Sequence, residues 1–171
     1  MNGPDVIRVL AISGSLAPES ANEKLLRAIN KLATDDLAFT LVDIIGSLPF
    51  FQPERAEINT PASVDRWRTL IQAHDVVVFA SPEYGHSMPG VLKNAIDWLI
   101  PSGELTEKAV AITSAVKHDN RGKMGLKSLE MVLNACEAAV IWNEAITNQN
   151  SRQILRMIKS LLNYEKEALT I

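Results

Sequence analysis

The sequence predicts an α/β domain in which a parallel sheet of five strands carries helices on both faces. Short apolar runs rich in valine and isoleucine alternate with longer segments whose apolar residues recur at helical spacing. Several runs, such as Ala109–Thr113, are apolar at almost every position, as strands covered on both faces are. Strands that alternate with helices pair in parallel through right-handed crossovers, so these patterns predict a doubly wound sheet.

The elements are predicted in a regular order along the chain. Five strands are expected over Val6–Ile12, Phe39–Ile44, Asp75–Ala80, Ala109–Thr113 and Ala139–Trp142. A helix is expected after each of them, on apolar stripes that include Leu25 and Ile29, Val64 and Trp67, Leu92 and Ile96, Leu129 and Leu133, and Ile154 and Ile158.

Two helix starts have recognisable signals, and one segment has neither helical nor strand spacing. Ser20 with Glu23 has the spacing of a capping box, and Thr60 reads as a cap that precedes Pro61 as the first helical residue. Gly46–Asn59 is predicted to be a long irregular loop. Its apolar residues are too many for a passive tether, so we expect it to be functional or part of an interface.

Composition narrows the class of protein. The 171 residues are 47% apolar and 22% charged, which is typical of one soluble globular domain spanning 1–171. A net charge of −3 gives no electrostatic footprint for nucleic acid or for an anionic membrane surface. The single cysteine, Cys136, lies on an apolar helical stripe and is expected to be an inert core thiol. No leader-like start or membrane-length apolar run is found, so we expect a cytoplasmic protein.

The fold class locates the ligand site before any motif is considered. Open α/β sheets bind ligands beyond the carboxyl ends of their strands, where the direction of the crossovers reverses. The candidate loops are therefore those after the first, third and fourth strands, which are Ser13–Asn22, Ser81–Met88 and Ser114–Met124.

The first loop is suited to a phosphate group. It offers the hydroxyl or amide side chains of Ser13, Ser15, Ser20 and Asn22, together with backbone N–H groups at a helix start. The alternative is that these side chains only satisfy a turn and a helix cap. No G-x-G-x-x-G pattern and no G-K-[ST] pattern is present, so neither a dinucleotide fingerprint nor a P-loop is predicted.

The second loop is suited to a flat polar ring. Pro82 ends the strand, Tyr84 supplies an aromatic surface, and Gly85 lets the backbone approach a ligand closely. Consecutive N–H groups there could bind the polar edge of a heterocycle. Glu83 is either a general base or a carboxylate bonded to nearby backbone or to a partner subunit. His86 is either a proton donor or a solvated side chain. The scattered histidines predict no metal site.

These residues resemble a known family. The pattern GSL…S.N..L after the first strand and the stretch PEYGHSMPGVLKNAIDWL after the third resemble the NADPH-dependent FMN reductase family, over about Val6–Ile141. The resemblance implies a flavodoxin-like three-layer fold with strand order 2-1-3-4-5 and tightly bound FMN. It also implies NADPH or NADH as co-substrate, a small electron acceptor, and a homodimer or homotetramer.

The resemblance also assigns site residues. Ser15, Ser20 and Asn22 would hold the FMN phosphate, and the flavin ring would lie against Pro82, Glu83, Tyr84 and Gly85. Ser13 and Ser114, at the starts of the first and third candidate loops, complete the expected FMN-binding set. No side chain is expected to be catalytic, because the flavin carries the chemistry; Tyr84 and Glu83 would support it.

Three positions depart from the family pattern. Ala17 stands where the family often has an arginine, and Gly85 stands where it has an asparagine. The third loop, SAVKHDNRGKMG, carries charged residues where the family has glycines. Its cations Lys117, Arg121 and Lys123 would either meet the phosphates of NADPH or be solvated.

Three functions follow as hypotheses. The first is an FMN-dependent NAD(P)H oxidoreductase acting on a quinone, an azo compound, chromate or free flavin. The second is a flavin-binding electron carrier or sensor without NAD(P)H turnover. The third is a member that no longer binds flavin and serves as an interaction module.

Overall fold

The computed structural model describes residues 6–168 and has the predicted architecture. Five parallel strands form the sheet in the order β2-β1-β3-β4-β6, which confirms the predicted fold class and strand order. The strands are β1 (Ile7–Ser13), β2 (Leu37–Val42), β3 (Val76–Ala80), β4 (Ala109–Thr113), β5 (Ala115–Val116), β6 (Ala139–Asn143) and β7 (Ile146–Thr147). The helices are α1 (Ala21–Leu32), α2 (Pro53–Glu57), α3 (Ala62–Ala73), α4 (Gly90–Asp97), α5 (Lys123–Ala135) and α6 (Ser151–Ala168).

Alternate side chains of each central strand enter two separate apolar layers. Leu10 and Ile12 of β1 face the layer that α3, α4 and α5 cover, whereas Val9 and Ala11 face the layer under α1 and α6. Strands β3 and β4 are buried at every residue, as the continuous apolar runs predicted. The result is the expected three-layer arrangement of helix, sheet and helix.

The short strands β5 and β7 were not predicted. They pair in parallel as a separate two-stranded sheet, with Ala115 opposite Ile146 and Val116 opposite Thr147. Each follows a main strand after one or two residues, so this small sheet stands directly beyond the carboxyl ends of β4 and β6. Two-residue strands have too little periodicity to be found from sequence.

Two predictions about helix boundaries and loops were wrong. Helix α3 begins at Ala62 with Pro61 as its N-cap residue, so Thr60 is not the cap. The segment 46–59 is not wholly irregular, because it contains the end of a 3₁₀ turn and helix α2. Pro53 opens α2, a position where a residue without an N–H loses nothing. Among the described residues, no helix has both the length and the apolarity needed to cross a bilayer.

Candidate functional site

The carboxyl edge of the sheet brings the first and second loops into contact. The Gly14 N–H donates to the carbonyl of Ala80 and the Ser81 N–H to that of Thr113, both at 2.8 Å. A Cβ atom at Gly14 would stand 3.3 Å from the Cα of Ser81 and 3.1 Å from a methyl group of Leu92. The missing side chain of Gly14 therefore allows the first loop to cross close to Ser81.

Serine hydroxyls gather at the start of α1. The Oγ atoms of Ser13 and Ser20 are 3.5 Å apart, and Ser13 Oγ accepts a hydrogen bond from the Ser15 N–H at 3.2 Å. Ser20 caps α1, since its hydroxyl accepts the N–H of Glu23 at 3.1 Å. The predicted capping box is only half formed, because the Glu23 carboxylate accepts the N–H of Glu19 at 3.1 Å and not that of Ser20. The Ser15 hydroxyl accepts the N–H of Ala17 at 3.3 Å. The predicted phosphate-binding hydroxyls thus lie together.

Asn22 connects the first loop to the third. Its side chain is 3% exposed, and its Oδ1 accepts the N–H of Ala115 at 2.9 Å. Among the described residues, its Nδ2 and the backbone N–H groups of Ala21 and Asn22 have no hydrogen-bond partner. Ser114 is 2% exposed, and its hydroxyl likewise has no partner within residues 6–168. Unpartnered donors on nearly buried side chains are what a polar ligand at this edge would satisfy.

The second loop folds back on itself as a tight turn. Tyr84 and Ser87 exchange two backbone hydrogen bonds, of 2.9 and 3.0 Å. Gly85 and His86 lie between them with φ of +55° and +63°, and two successive positive φ angles are the signature of a type I′ turn. We call residues 84–87 the flavin turn, from the ligand that the resemblance implies. In residues 6–168, the N–H groups of Gly85 and His86 have no partner.

Glu83 contacts the N-terminus of α5. Its Oε2 accepts the N–H of Gly125 at 2.9 Å. The hydrogen bond from the Gly125 N–H holds the pKa of the Glu83 carboxyl below its ordinary value, and the neighbouring N–H of Met124 and His86 add to this. A carboxylate with a lowered pKa is a weak base. The geometry therefore supports the backbone-bonded alternative for Glu83 over the general base.

A second hydrogen bond joins the same two elements. The Oγ atoms of Ser87 and Ser128 are 2.8 Å apart. A Cβ atom at Gly125 would stand 3.1 to 3.3 Å from three atoms of Glu83, so the helix approaches the loop closely because residue 125 is glycine. The flavin turn and helix α5 are thus fastened together on both sides of the turn.

The two remaining side chains of the turn point outward. Tyr84 is 59% exposed, and the side chain of His86 is exposed as well. The Nδ1 atom of His86 lies 3.5 Å from Oε1 of Glu83. Tyr84 is therefore available to a ligand, whereas His86 has the solvated position that the exposed turn suggested.

The third loop contains the short strand β5 and a tight turn before α5. After Ser114 the chain forms β5, and the loop ends at Gly122. Gly122 has a φ of +83° and directly precedes the first residue of α5. A Cβ atom at Gly122 would stand 3.0 Å from both the Ser114 hydroxyl and a methyl group of Val116. Gly122 therefore lets the chain turn back tightly beside Ser114 and enter α5.

Two cavities flank these loops. One, of about 290 Å³, lies between the first loop and the end of β2, and its lining includes Ser13, Ser15, Glu23, Arg27 and Asp43. The other, of about 360 Å³, lies beside α5 and β7, and its lining includes Lys123, Lys127, Asn143, Glu144 and Thr147. Both are of the size that small-molecule sites have. No cluster of metal-ligating side chains is found between residues 6 and 168.

Sequence reasoning missed several residues that build this site. Gly14, Gly122 and Gly125 permit close approaches, and Ser128 holds the flavin turn. The G-x-x-G spacing of 122 and 125 at a helix start was a usable signal. Nothing in the sequence, however, told which distant residues these glycines would contact.

The donor set fits a flavin mononucleotide. The first loop offers hydroxyls and N–H groups to a phosphate, and the flavin turn offers two N–H groups to a ring edge. Ser114 lies next to Ala115, whose N–H donates to Asn22 at the end of the first loop. The structure brings the predicted residues to one edge, with Glu83 turned towards α5.

Known proteins share this sequence pattern and this fold. The profile of the NADPH-dependent FMN reductase family matches residues 7–153. An NAD(P)H-dependent FMN reductase from Pseudomonas aeruginosa is 41% identical over 113 residues, which are 65% of this chain and 60% of that protein. A quinone reductase from Pseudomonas putida is 42% identical over 92 residues, which are 54% of this chain and 49% of that protein. The chain thus spans about half to three fifths of the length of these curated relatives.

Solved structures agree on the fold. FerB, a flavoenzyme NAD(P)H:(acceptor) oxidoreductase from Paracoccus denitrificans, superposes with a TM-score of 0.80 and 24% identity, over 95% of this chain and 98% of FerB. An azoreductase from Bacillus anthracis str. Sterne gives a TM-score of 0.62 at 19% identity, over 96% of this chain and all of that one.

Proposed function

The chain belongs to the NADPH-dependent FMN reductase family, and from that premise we propose that it is an FMN-dependent NAD(P)H oxidoreductase. The chemistry that FMN supplies when bound is acceptance of a hydride from NAD(P)H and delivery of two electrons to a second substrate. The tasks left to the protein are to bind the cofactor, to orient it and to leave one side accessible.

The first loop holds the phosphate in this proposal. The hydroxyls of Ser13, Ser15 and Ser20 cluster there, and the N–H groups of Ala21 and Asn22 extend the donor set. A helix N-terminus with free N–H groups favours an anion. The Nδ2 atom of Asn22 is a further donor, while its Oδ1 keeps the third loop in position through Ala115.

The flavin turn binds the ring in this proposal. Pro82 lies two residues beyond the end of β3, and the N–H groups of Gly85 and His86 donate to the polar edge of the isoalloxazine. Tyr84 supplies an exposed aromatic surface, and Ser114 supplies a hydroxyl from the neighbouring loop. Glu83 acts indirectly, by holding the turn on α5 through Gly125.

One observation carries the proposal. The same edge of the sheet presents two separate sets of unpartnered donors, one suited to a phosphate and one to a ring. Donors without partners are rare in a folded protein unless solvent or a ligand satisfies them.

The acceptor we propose is a quinone. Several relatives carry the name quinone reductase, and a quinone is flat enough to stack on an exposed flavin ring beside Tyr84. An azo compound, chromate or free flavin are the competing acceptors, and a direct comparison of turnover distinguishes them.

We further propose a homodimer or homotetramer, which light scattering of the purified protein tests.

The decisive experiment is a visible absorption spectrum before and after addition of FMN and desalting. We expect a flavin spectrum at one FMN per chain, and oxidation of NAD(P)H when a quinone is added. Retained FMN without NAD(P)H oxidation would instead indicate an electron carrier or sensor. A colourless protein that does not take up FMN would contradict the proposal and favour an interaction module.

A further inference from the structure

The two free N–H groups of the flavin turn belong to a backbone conformation that needs support. His86 has a φ of +63°, a left-handed conformation that residues with side chains rarely adopt. Two backbone hydrogen bonds between Tyr84 and Ser87 close the turn, but an isolated hairpin is at best marginally stable in water. The direction of the Gly85 and His86 N–H groups therefore depends on contacts from outside the turn.

Helix α5 supplies two such contacts, one on each side of the turn. Oε2 of Glu83, directly before Tyr84, accepts the N–H of Gly125 at 2.9 Å. The hydroxyls of Ser87 and Ser128 share a hydrogen bond, with their Oγ atoms 2.8 Å apart. Gly125 and Ser128 are three residues apart in the sequence, a spacing that places them on one face of a helix. The turn is therefore fixed to a single surface of α5.

Helix α5 is a firmly packed support for the turn. Its residues Leu126, Leu129 and Leu133 are buried in the apolar layer on one face of the sheet. Directly before its first residue, Gly122 passes so close to Ser114 that a Cβ atom would stand 3.0 Å from the hydroxyl. The same helix thus sets the positions of both Ser114 and the flavin turn, two of the donor groups proposed for the flavin.

We propose that Ser128 is a positioning residue for the flavin, which acts through Ser87 and raises the reduction potential of bound FMN. The inference rests on the proposed function, in which both electrons come from the hydride of NAD(P)H and leave to the quinone. Reduction makes the polar edge of a flavin ring more negative. N–H donors that are already held in place stabilise this reduced form more than the oxidised form, whereas donors that must first be ordered lose part of the difference.

The test compares the reduction potential of FMN bound to the unmodified chain and to Ser128→Ala. Each potential is measured by reductive titration against a reference dye at one pH, and the dissociation constant of oxidised FMN is measured by fluorescence. We expect the ratio of the affinities for reduced and oxidised FMN to fall by about threefold to tenfold, the range of one net hydrogen bond. For a two-electron couple this change lowers the potential by about 15–30 mV.

Further variants show whether Ser128 acts through Ser87. Ser87→Ala should lower the potential by the same amount as Ser128→Ala. The double variant should lower it no further, because the two hydroxyls form one hydrogen bond. Ser128→Thr keeps the hydroxyl and should restore the potential of the unmodified chain.

Ser160→Ala is the matched control. Ser160 also carries a helix hydroxyl, which donates to the carbonyl of Ile141 at 3.1 Å, but its helix α6 covers the opposite face of the sheet from α5. This control should have the potential of the unmodified chain. Hydrogen exchange of the flavin-free protein is a readout that needs no cofactor. The hydrogen-bonded N–H groups of Tyr84 and Ser87 should exchange faster in Ser128→Ala but not in Ser160→Ala.

Failure of the inference and failure of the proposed function give different results. An unchanged potential in Ser128→Ala would overturn the inference even if the melting temperature fell, because a residue that only stabilises the fold weakens both forms of FMN equally. Potentials that fall additively in the double variant would also overturn it, because the two hydroxyls would then act separately. An unmodified chain that takes up no FMN would refute the proposed function and, with it, this inference.

Discussion

Gly85 combines open surroundings with a backbone conformation that side chains rarely adopt. A Cβ atom there would meet no atom within 4 Å, yet its φ is +55°. We expect Gly85→Val to weaken FMN binding strongly, because the side chain would occupy the space in front of the turn. The strained φ should also reduce the free energy of unfolding by about 1–2 kcal/mol. Fluorescence titration with FMN and thermal unfolding measure the two effects.

A matched glycine separates ligand exclusion from strain. Gly103 has a φ of +73° and follows α4 at the opposite edge of the sheet. Gly103→Val should therefore cost similar stability and leave FMN affinity unchanged. Equal FMN affinity in both variants would show that the turn does not face the ring.

Glu83 is expected to stabilise the protein only when it is ionised. We predict that Glu83→Gln lowers the free energy of unfolding at neutral pH by about 1 kcal/mol, the usual worth of a helix cap. The folded protein lowers the pKa of Glu83, so its contribution is complete above the ordinary carboxyl range. The contribution is lost as pH falls through the lowered pKa. Unfolding curves in urea at several pH values should show the two proteins converging at acid pH.

Glu130→Gln is the control for this pH dependence. Glu130 lies on α5, the helix to which Glu83 is hydrogen-bonded, and its own side chain forms no hydrogen bond or ion pair within residues 6–168. Its curves should follow those of the unmodified chain. If Glu83→Gln were equally stable at every pH, the hydrogen bond to Gly125 would carry no weight in solution.

At the scale of elements, Asn94 holds the segment 46–59 on helix α4. Its Oδ1 accepts the Phe51 N–H at 2.8 Å, and its Nδ2 donates to the Pro49 carbonyl at 3.0 Å. The indole N–H of Trp98 reaches the same carbonyl at 2.8 Å. We predict that Asn94→Ala destabilises the protein by about 1–3 kcal/mol and speeds hydrogen exchange in this segment.

Hydrogen exchange in the segment 46–59 is also the measurement for the control variant and for the result that would contradict this prediction. Asn134→Ala, at an exposed position near the end of α5, should leave exchange in the segment unchanged. If Asn94→Ala increased exchange throughout the chain equally, the segment would not be a separate unit fastened by this residue.

The accuracy of the sequence predictions differed between kinds of element. The main strands and long helices were predictable because burial on two faces or on one stripe leaves a periodic pattern, as in β3 and α1. The strands β5 and β7 were not, since two residues carry no period. The cap of α3 was misplaced by one residue because Thr60-Pro61 fits either register.

The candidate site was predictable in position but not in its contacts. The fold class alone located the three loops, and residue types indicated a phosphate and a ring. Two hydrogen bonds of the site are tertiary contacts. Glu83 and Gly125 are 42 positions apart in the sequence, and Asn22 and Ala115 are 93 positions apart. One sequence does not show such pairs. Tertiary hydrogen bonds therefore decided which alternative for Glu83 the geometry supports.

At the scale of the whole molecule, the interior of the sheet and its carboxyl edge differ in how fully their polar groups are satisfied. The central strands bury their residues fully, while the carboxyl edge keeps unpartnered donors on Ser114 and Asn22. A ligand that satisfies them binds only the folded state. Its binding must therefore raise the stability of the entire domain, not only of the loops.

Comparison of FMN with riboflavin, which lacks the phosphate, measures how much the first loop contributes to that gain. At a hundredfold excess over its dissociation constant FMN should add about 2.7 kcal/mol, which raises the melting temperature by several degrees. Riboflavin at the same concentration should add clearly less, because the donors around Ser15 and Ser20 would remain unused. Ser15→Ala should shrink the difference between the two ligands without changing the riboflavin shift, whereas Ser160→Ala on α6 should leave both shifts unaltered. Equal stabilisation by both ligands would mean that these hydroxyls only close a turn.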